Sequence, residues 1–222
     1  MEIPPRKNFG ENMARKKLKP KDLTPEHIRV CFETIKVVDG KLLNLSYHQQ
    51  RLDATRGYFG FCAKLELKAE DFKLPKKGEF RLRVDYADSL LSFTYKELTS
   101  REFREFRIVE ADIEYRFKYA NRVKLDTLKR DEKEIIIAKD GLIKDTSIAN
   151  IALYIDGAWL TPRVPLLKGT TRARLIDSGF LKCEDLTIKD LENAEKFAIM
   201  NALIGMKIIK KAKFELGFNS TI

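Results

Sequence analysis

Hydrophobic and polar residues first fall into a regular pattern in "IRVCFETIKVV" (28–38), where alternation at a period of two predicts a strand. Asp39-Gly40 follows as a hairpin turn signal, and "KLLNL" (41–45) is the expected return strand. Ser46 with Gln49 has the form of a capping box and predicts a helix running to about Tyr58. "EFRLRVDY" (79–86) alternates strictly. Phe80, Leu82 and Val84 fall on one face and Arg81 and Arg83 on the other, and "LLSFTYKEL" (90–98) completes a hairpin with it.

A second series begins after about residue 100. "REFRIVEA" (104–111) predicts a strand, "NRVKLDTLKR" (121–130) a helix and "EIIIA" (134–138) a buried strand. Asp140-Gly141 and Asp156-Gly157 are turn signals on either side of "LIKDTSIANIALYI" (142–155), and "AWLTP" (158–162) reads as a further strand. "GTTRARLIDSGF" (169–180) predicts a helix, with Gly169 ahead of its first turn and Gly179 as its stop. Thr187 and Asp190 form a cap pair for a last helix in "IKDLENAEKF" (188–197), after which "AIMNALIGMKIIKK" (198–211) returns to strand. Strands in meanders with interspersed helices predict the α+β class in two lobes, a small α+β domain at 26–103 and a larger one at 104–222. Residues 1–25, basic, broken by prolines and without periodicity, read as an N-terminal arm.

Composition narrows the function more than the fold. The net charge is +10, yet acidic residues are mixed with basic ones through most of the chain. There is no RNA-binding aromatic signature, zinc-finger spacing or arginine-rich arm, so no nucleic-acid partner is expected and the charge describes a solvated surface. No apolar run is long enough to span a bilayer, and the charged N-terminus does not resemble a secretion signal, so no membrane partner is expected either. The three cysteines (Cys31, Cys62, Cys183) and two histidines (His27, His48) are widely spaced. That argues against a metal cluster or a disulfide framework and for a reducing, cytoplasmic setting.

Four features carry candidate chemistry. Lys118 sits between Phe117 and Tyr119 in "RFKYANR", where it either snorkels to solvent or presents a desolvated amine able to bond to a carbonyl. Arg51, in "LSYHQQRL", is either a surface residue or an inward guanidinium whose fork of donors needs an anion such as phosphate. Gly169-Thr170-Thr171 offers free N–H groups and hydroxyls at a helix start, which suits phosphate, although many helices start this way. Asp145 lies in an apolar stretch, as a turn residue or as a buried carboxylate in need of a positive partner. A reactive amine, two phosphate anchors and a carboxylate are together what pyridoxal phosphate requires.

The order "CFETIKVVDGKLLNLSYHQQRL", "FKYANR", "GLIKDTSIANIALYIDGAWLTP", "KGTTRARLI" resembles the class IV aminotransferase-like family of pyridoxal-phosphate enzymes from about His27 to the C-terminus. Within it, "FKYANR" and "IMNALIGMKIIK" are similar to segments of the 4-amino-4-deoxychorismate lyases. The resemblance implies a cofactor cleft between the small domain and a larger α/β-barrel-like cofactor domain, and a homodimer. It makes Lys118 the cofactor lysine and general base, Arg51 a phosphate ligand, and Thr170 and Thr171 the phosphate-binding helix start. Asn201 falls close to the phosphate or substrate, Thr34 near the substrate, and Arg83 beside the pocket. Asp145 stands where the family normally has glutamate beneath the pyridine nitrogen, one methylene shorter. The implied activity is release of pyruvate to form para-aminobenzoate, a step of folate biosynthesis. The alternatives are a branched-chain or D-amino-acid aminotransferase, and a family member that has lost catalysis and keeps a binding role.

Overall fold

Alternation sorts β1 (Cys31–Val38) into two unlike faces, and the rest of the first lobe is built on that difference. β2 (Lys41–Leu42), β3 (Glu79–Tyr86) and β4 (Leu90–Glu97) join it in an antiparallel sheet of order β2-β1-β3-β4. Register places Ile35 opposite Leu82 and Leu82 opposite Tyr95, so the apolar residues share one face. Leu52 of helix α1 (Leu45–Tyr58) packs into that face with Ile35, Val37, Leu82, Val84 and Tyr86. The opposite face carries rows of polar side chains, Thr34–Arg83–Thr94 and Lys36–Arg81–Lys96. The computed structural model describes residues 30–61, 63–129, 131 and 133–217, and the arm expected at 1–25 lies outside them.

The second lobe is a nine-stranded mixed sheet running β10 (Leu181–Glu184), β9 (Ala158–Pro162), β8 (Asn150–Ile155), β7 (Leu142–Thr146), β6 (Glu134–Lys139), β5 (Glu105–Glu110), β13 (Lys213–Leu216). β11 (Lys196–Asn201) pairs with β8 and with β12 (Gly205–Ile208). β6 is buried on both faces, which is why it reads as an unbroken apolar run: Ile136 and Ala138 join Phe106, Ile151 and Phe197, while Ile135 and Ile137 join Val109 and Leu125. Three helices complete this lobe, α2 (Val123–Thr127), α3 (Thr170–Asp177) and α4 (Ile188–Asn193). The α+β, two-lobed fold expected from the sequence is the one observed.

Several local expectations differ. Ser46 is not a cap: α1 starts at Leu45 after Asn44 in a left-handed conformation (φ 53), which also ends the return strand at Leu42. Gln49 is drawn away instead, donating to the Leu65 carbonyl and accepting from Leu67 N at 2.8 Å each. The helix expected at 121–130 contracts to five residues without a side-chain cap. The 142–155 stretch breaks into β7 and β8 because Thr146 Oγ1 accepts from Ile148 N and Ala149 N, closing a tight turn between them. The 198–211 strand is the end of β11 and a hairpin turn into β12. The Thr187–Asp190 capping box is present, with Thr187 N donating to Asp190 at 2.7 Å, but α4 ends at Asn193 and Lys196 already belongs to β11.

One short segment joins the lobes. Phe32 N donates to the Lys118 carbonyl at 2.9 Å and Ala120 N to the Val30 carbonyl at 2.8 Å, so residues 118–120 run as an added strand beside the start of β1. Phe117 and Tyr119 pack into the first-lobe core.

Ile136 is fully buried in the second-lobe core. Ile136→Ala is expected to cost about 3 kcal/mol and to lower Tm by about 6–12 °C. A calorimetric Tm within about 2 °C of wild type would contradict this placement.

Candidate active site

The polar face of the first sheet, the 118–122 segment, the β7–β8 turn, the start of α3 and the β11–β12 turn enclose a cavity of about 820 Å³. That is within the usual range for a cofactor together with a small substrate. Lys118 lies on its wall, with Nζ 4.7 Å from the centroid of the Phe32 ring. Strand alternation explains the sequence around it: the flanking aromatics turn into the core and Lys118 turns into the cavity. Burial, and then the charge of Arg51, bring its amine down from 10.5 to about 7, with smaller contributions from Arg122 and Arg83 in the same direction and an opposing one from Glu33. A substantial fraction is therefore an uncharged nucleophile at neutral pH.

Arg51 also lines the cavity, held by a residue that sequence reasoning missed. Glu33 is completely buried and takes Arg51 Nε at 2.8 Å and Nη2 at 2.5 Å, while its Oε2 meets His48 Nδ1 at 2.6 Å. Burial opposes the charge on Glu33, but Arg51 and the hydrogen bonds from His48 and Arg51 outweigh it and hold the carboxyl at about 2. The fork engages Nε and Nη2 and leaves Nη1 outside the pair with Glu33. The signal was present in "CFETIKVV": Glu33 shares the alternation of Cys31, Ile35 and Val37, and a carboxylate on a core face must have a cationic partner.

Asp145 is buried at the end of β7 beside the same cavity. Its Oδ1 accepts from Asn150 Nδ2 at 2.7 Å and its Oδ2 from Leu167 N at 2.8 Å. Burial nevertheless outweighs these bonds and the charge of Arg172 and raises the carboxyl to about 7, and no cation is hydrogen-bonded to it among the described residues. Asn150 is a second residue not singled out from sequence. Gly169 makes its position possible, because a Cβ there would stand 1.9 Å from Asn150 Oδ1.

The other candidates separate. Thr34, Thr170, Asn201 and Arg83 line the cavity; Thr171 is buried in the first turn of α3 and does not. The first intrahelical bond of α3 runs from Ala173 N to the Gly169 carbonyl, so the N–H groups of Thr170, Thr171 and Arg172 precede it and have no helical partner. Asn201 is occupied structurally, with Oδ1 accepting from Leu203 N and Ile204 N and Nδ2 donating to the Ile148 carbonyl. Arg83 is forked onto Asp85 (2.7–3.2 Å) and lies 3.7 Å from the centroid of the Phe32 ring. Arg122, within the quoted "FKYANR" but not assigned a role, lines the cavity and bonds Tyr115 OH and the Ser147 carbonyl. Cys31 is inert as a nucleophile, since burial and then Glu33 push its thiol up to about 12.

An uncharged amine, guanidinium and N–H donors for an anion, and a carboxyl without a full counter-charge fit a phosphorylated aldehyde that carries a basic ring nitrogen. A cation beside Asp145 would return it to its ionised form.

Residues 116–212 match the family model for class IV aminotransferases. An uncharacterised protein of Haemophilus influenzae is 32% identical over 184 residues, covering 79% of this chain and 98% of its own. The crystal structure of a "putative 4-amino-4-deoxychorismate lyase" from Haemophilus somnus 129PT superimposes with a TM-score of 0.70 at 30% identity, over 79% of this chain and 97% of that one. A "hypothetical aminotransferase" of Mycobacterium tuberculosis in its PLP-bound form gives a TM-score of 0.71 over 91% and 88% of the two chains. Its 15% identity bears on the fold alone.

The lysine can be tested without any ligand. Its folded pKa of about 7 lies below the 10.5 of the unfolded chain, so unfolding takes up a proton between those values. Its penalty on stability is therefore full below about pH 7 and is relieved as pH rises to about 10.5. Lys118→Met in cofactor-free protein should be more stable than wild type by a few kcal/mol at pH 6.5, with the gap closing towards pH 10. Asp145 titrates in both proteins and cancels to first order. Urea unfolding that gives a pH-independent difference would refute the desolvated amine.

Proposed function

This chain belongs to the class IV aminotransferase family, and we propose that within it the protein is a pyridoxal-phosphate-dependent 4-amino-4-deoxychorismate lyase that releases pyruvate and forms para-aminobenzoate. The observation that carries this reading is the lysine amine held near neutrality on the wall of a cavity shared with Arg51 and Asp145. The 30% identity to the Haemophilus somnus protein, spanning nearly all of that chain, supports the lyase over the aminotransferase.

In this reading Arg51 Nη1 and the N–H groups at the start of α3 bind the phosphate, and Asp145 holds the ring nitrogen in its protonated form. The cofactor supplies a carbonyl for an amine to bond to and a ring that accepts an electron pair. Lys118 Nζ would hold the cofactor at its carbonyl end and, once free, would take the proton from the substrate carbon bearing the amine. The C–O bond to the three-carbon side chain breaks, the substrate ring becomes aromatic, and the side chain departs as the enol. Thr34 Oγ1, on the cavity face of β1, relays the proton that completes pyruvate. A homodimer working in the cytoplasm belongs to the same proposal, as does the division into domains at residue 103.

Purified protein with pyridoxal phosphate should show a visible absorption band that borohydride fixes covalently, and Lys118→Ala should lack it. Supplied with 4-amino-4-deoxychorismate, wild type should release pyruvate, detected with lactate dehydrogenase. Conversion of branched-chain or D-amino acids without pyruvate release from that substrate would assign a transaminase instead. Absence of the band from wild type would leave a binding role only. Asp145→Asn should retain the band and lose roughly 100-fold in kcat; full activity would remove Asp145 from the mechanism.

A further inference from the structure

Resting on the lyase reading, we propose that Arg81 and Lys96 form the subsite for the substrate carboxylate most distant from the reacting amine, making the enzyme selective for ring substrates with an anionic group at that end. Arg81 and Lys96 face each other across β3 and β4, and Arg81 faces Lys36 across β1. Three cations therefore stand side by side on the cavity face of the sheet, an arrangement that is unfavourable without counter-charge. Lys36 has its carboxylate, Glu79 at 2.8 Å. Arg81 and Lys96 both line the cavity and make no ion pair among the described residues, and Arg81 Nε is buried without a hydrogen-bond partner among them. Arg101 and Lys207 add positive charge to the same wall, against the carboxylates of Glu97 and of Glu79, which is paired with Lys36.

Position along the strand sets the reach. Lys118 lies beside Phe32 at one end of β1, Thr34 and Arg83 form the next row, and Arg81 with Lys96 the row beyond. Each row is about 7 Å further out, so these flexible side chains suit a carboxylate across a six-membered ring from the amine. Arg83, the arginine that the sequence suggested, is already neutralised by Asp85 and stacked against Phe32. The uncompensated charge is one row further on.

The test is direct calorimetric binding of 4-aminobenzoate and of aniline to wild type, Arg81→Gln and Lys96→Gln, with the cofactor band recorded on the same samples. Wild type should bind 4-aminobenzoate at least tenfold more tightly than aniline. Each variant should lose about tenfold for 4-aminobenzoate, as expected for a charge-assisted hydrogen bond, and less than twofold for aniline. Lys96 is exposed, so its substitution leaves the core untouched. Unchanged 4-aminobenzoate affinity in both variants, or equal affinity of wild type for the two ligands, would overturn the subsite. Loss of the cofactor band from wild type alongside the expected binding pattern would overturn the lyase reading and support the carboxylate subsite.

Discussion

Lys118 and Arg51 share the wall of one cavity, and of these two only the lysine can give up its proton. Arg51 is bound to buried Glu33 through two nitrogens, and a guanidinium does not deprotonate in proteins in any case. Burial, and then the charge of Arg51, therefore act on Lys118, whose amine goes to about 7. The Glu33–Arg51 pair thus fixes the guanidinium on the cavity wall, and the charge of Arg51 adds to burial in lowering the amine of Lys118. Glu33 alone would have pulled Lys118 the other way; burial and the surrounding arginines outweigh it.

The same cavity places a carboxyl at the opposite extreme. Glu33 is held at about 2 by Arg51 and its bond to His48, whereas at Asp145 burial outweighs the bonds from Asn150 and the backbone and the charge of Arg172, and raises the carboxyl to about 7. Both are buried acids, and the difference is that a guanidinium is hydrogen-bonded to Glu33, whereas Asp145 takes its hydrogen bonds from an amide and the backbone. A site with one acid satisfied by the protein and another left short of charge is prepared for a ligand that brings its own cation. Further out, Arg81 and Lys96 face each other across β3 and β4 with the reverse imbalance, positive charge without an ion pair among the described residues.

Much of this was legible in the chain. Strict alternation in "EFRLRVDY" located the sheet and assigned its arginines to one face, and the Thr187–Asp190 pair located a helix start. Lys118, Arg51, Asp145, Thr34 and Thr170 were named from sequence and all lie on one cavity. The failures have a common cause. The Ser46–Gln49 cap was a good local pattern displaced by bonds to Leu65 and Leu67, and the 142–155 strand was broken by a threonine hydroxyl that captured nearby backbone N–H groups. In each case a local preference worth a fraction of a kcal/mol to about one yielded to a competing hydrogen bond.

Residue identity and spacing by themselves determined the class of fold, the faces of the strands and the set of chemically capable side chains, because periodicity and side-chain chemistry are local properties. Tertiary structure alone decided which of those side chains are charged and which are free. Arg83 and Arg81 are indistinguishable in "RLR", yet one is paired with Asp85 and the other has a buried Nε with no hydrogen-bond partner among the described residues. Asn201 matched a functional segment and is held by the backbone of two turns. Charge state and availability depend on desolvation and on partners distant in sequence, and those exist only once the two lobes have closed around the cavity.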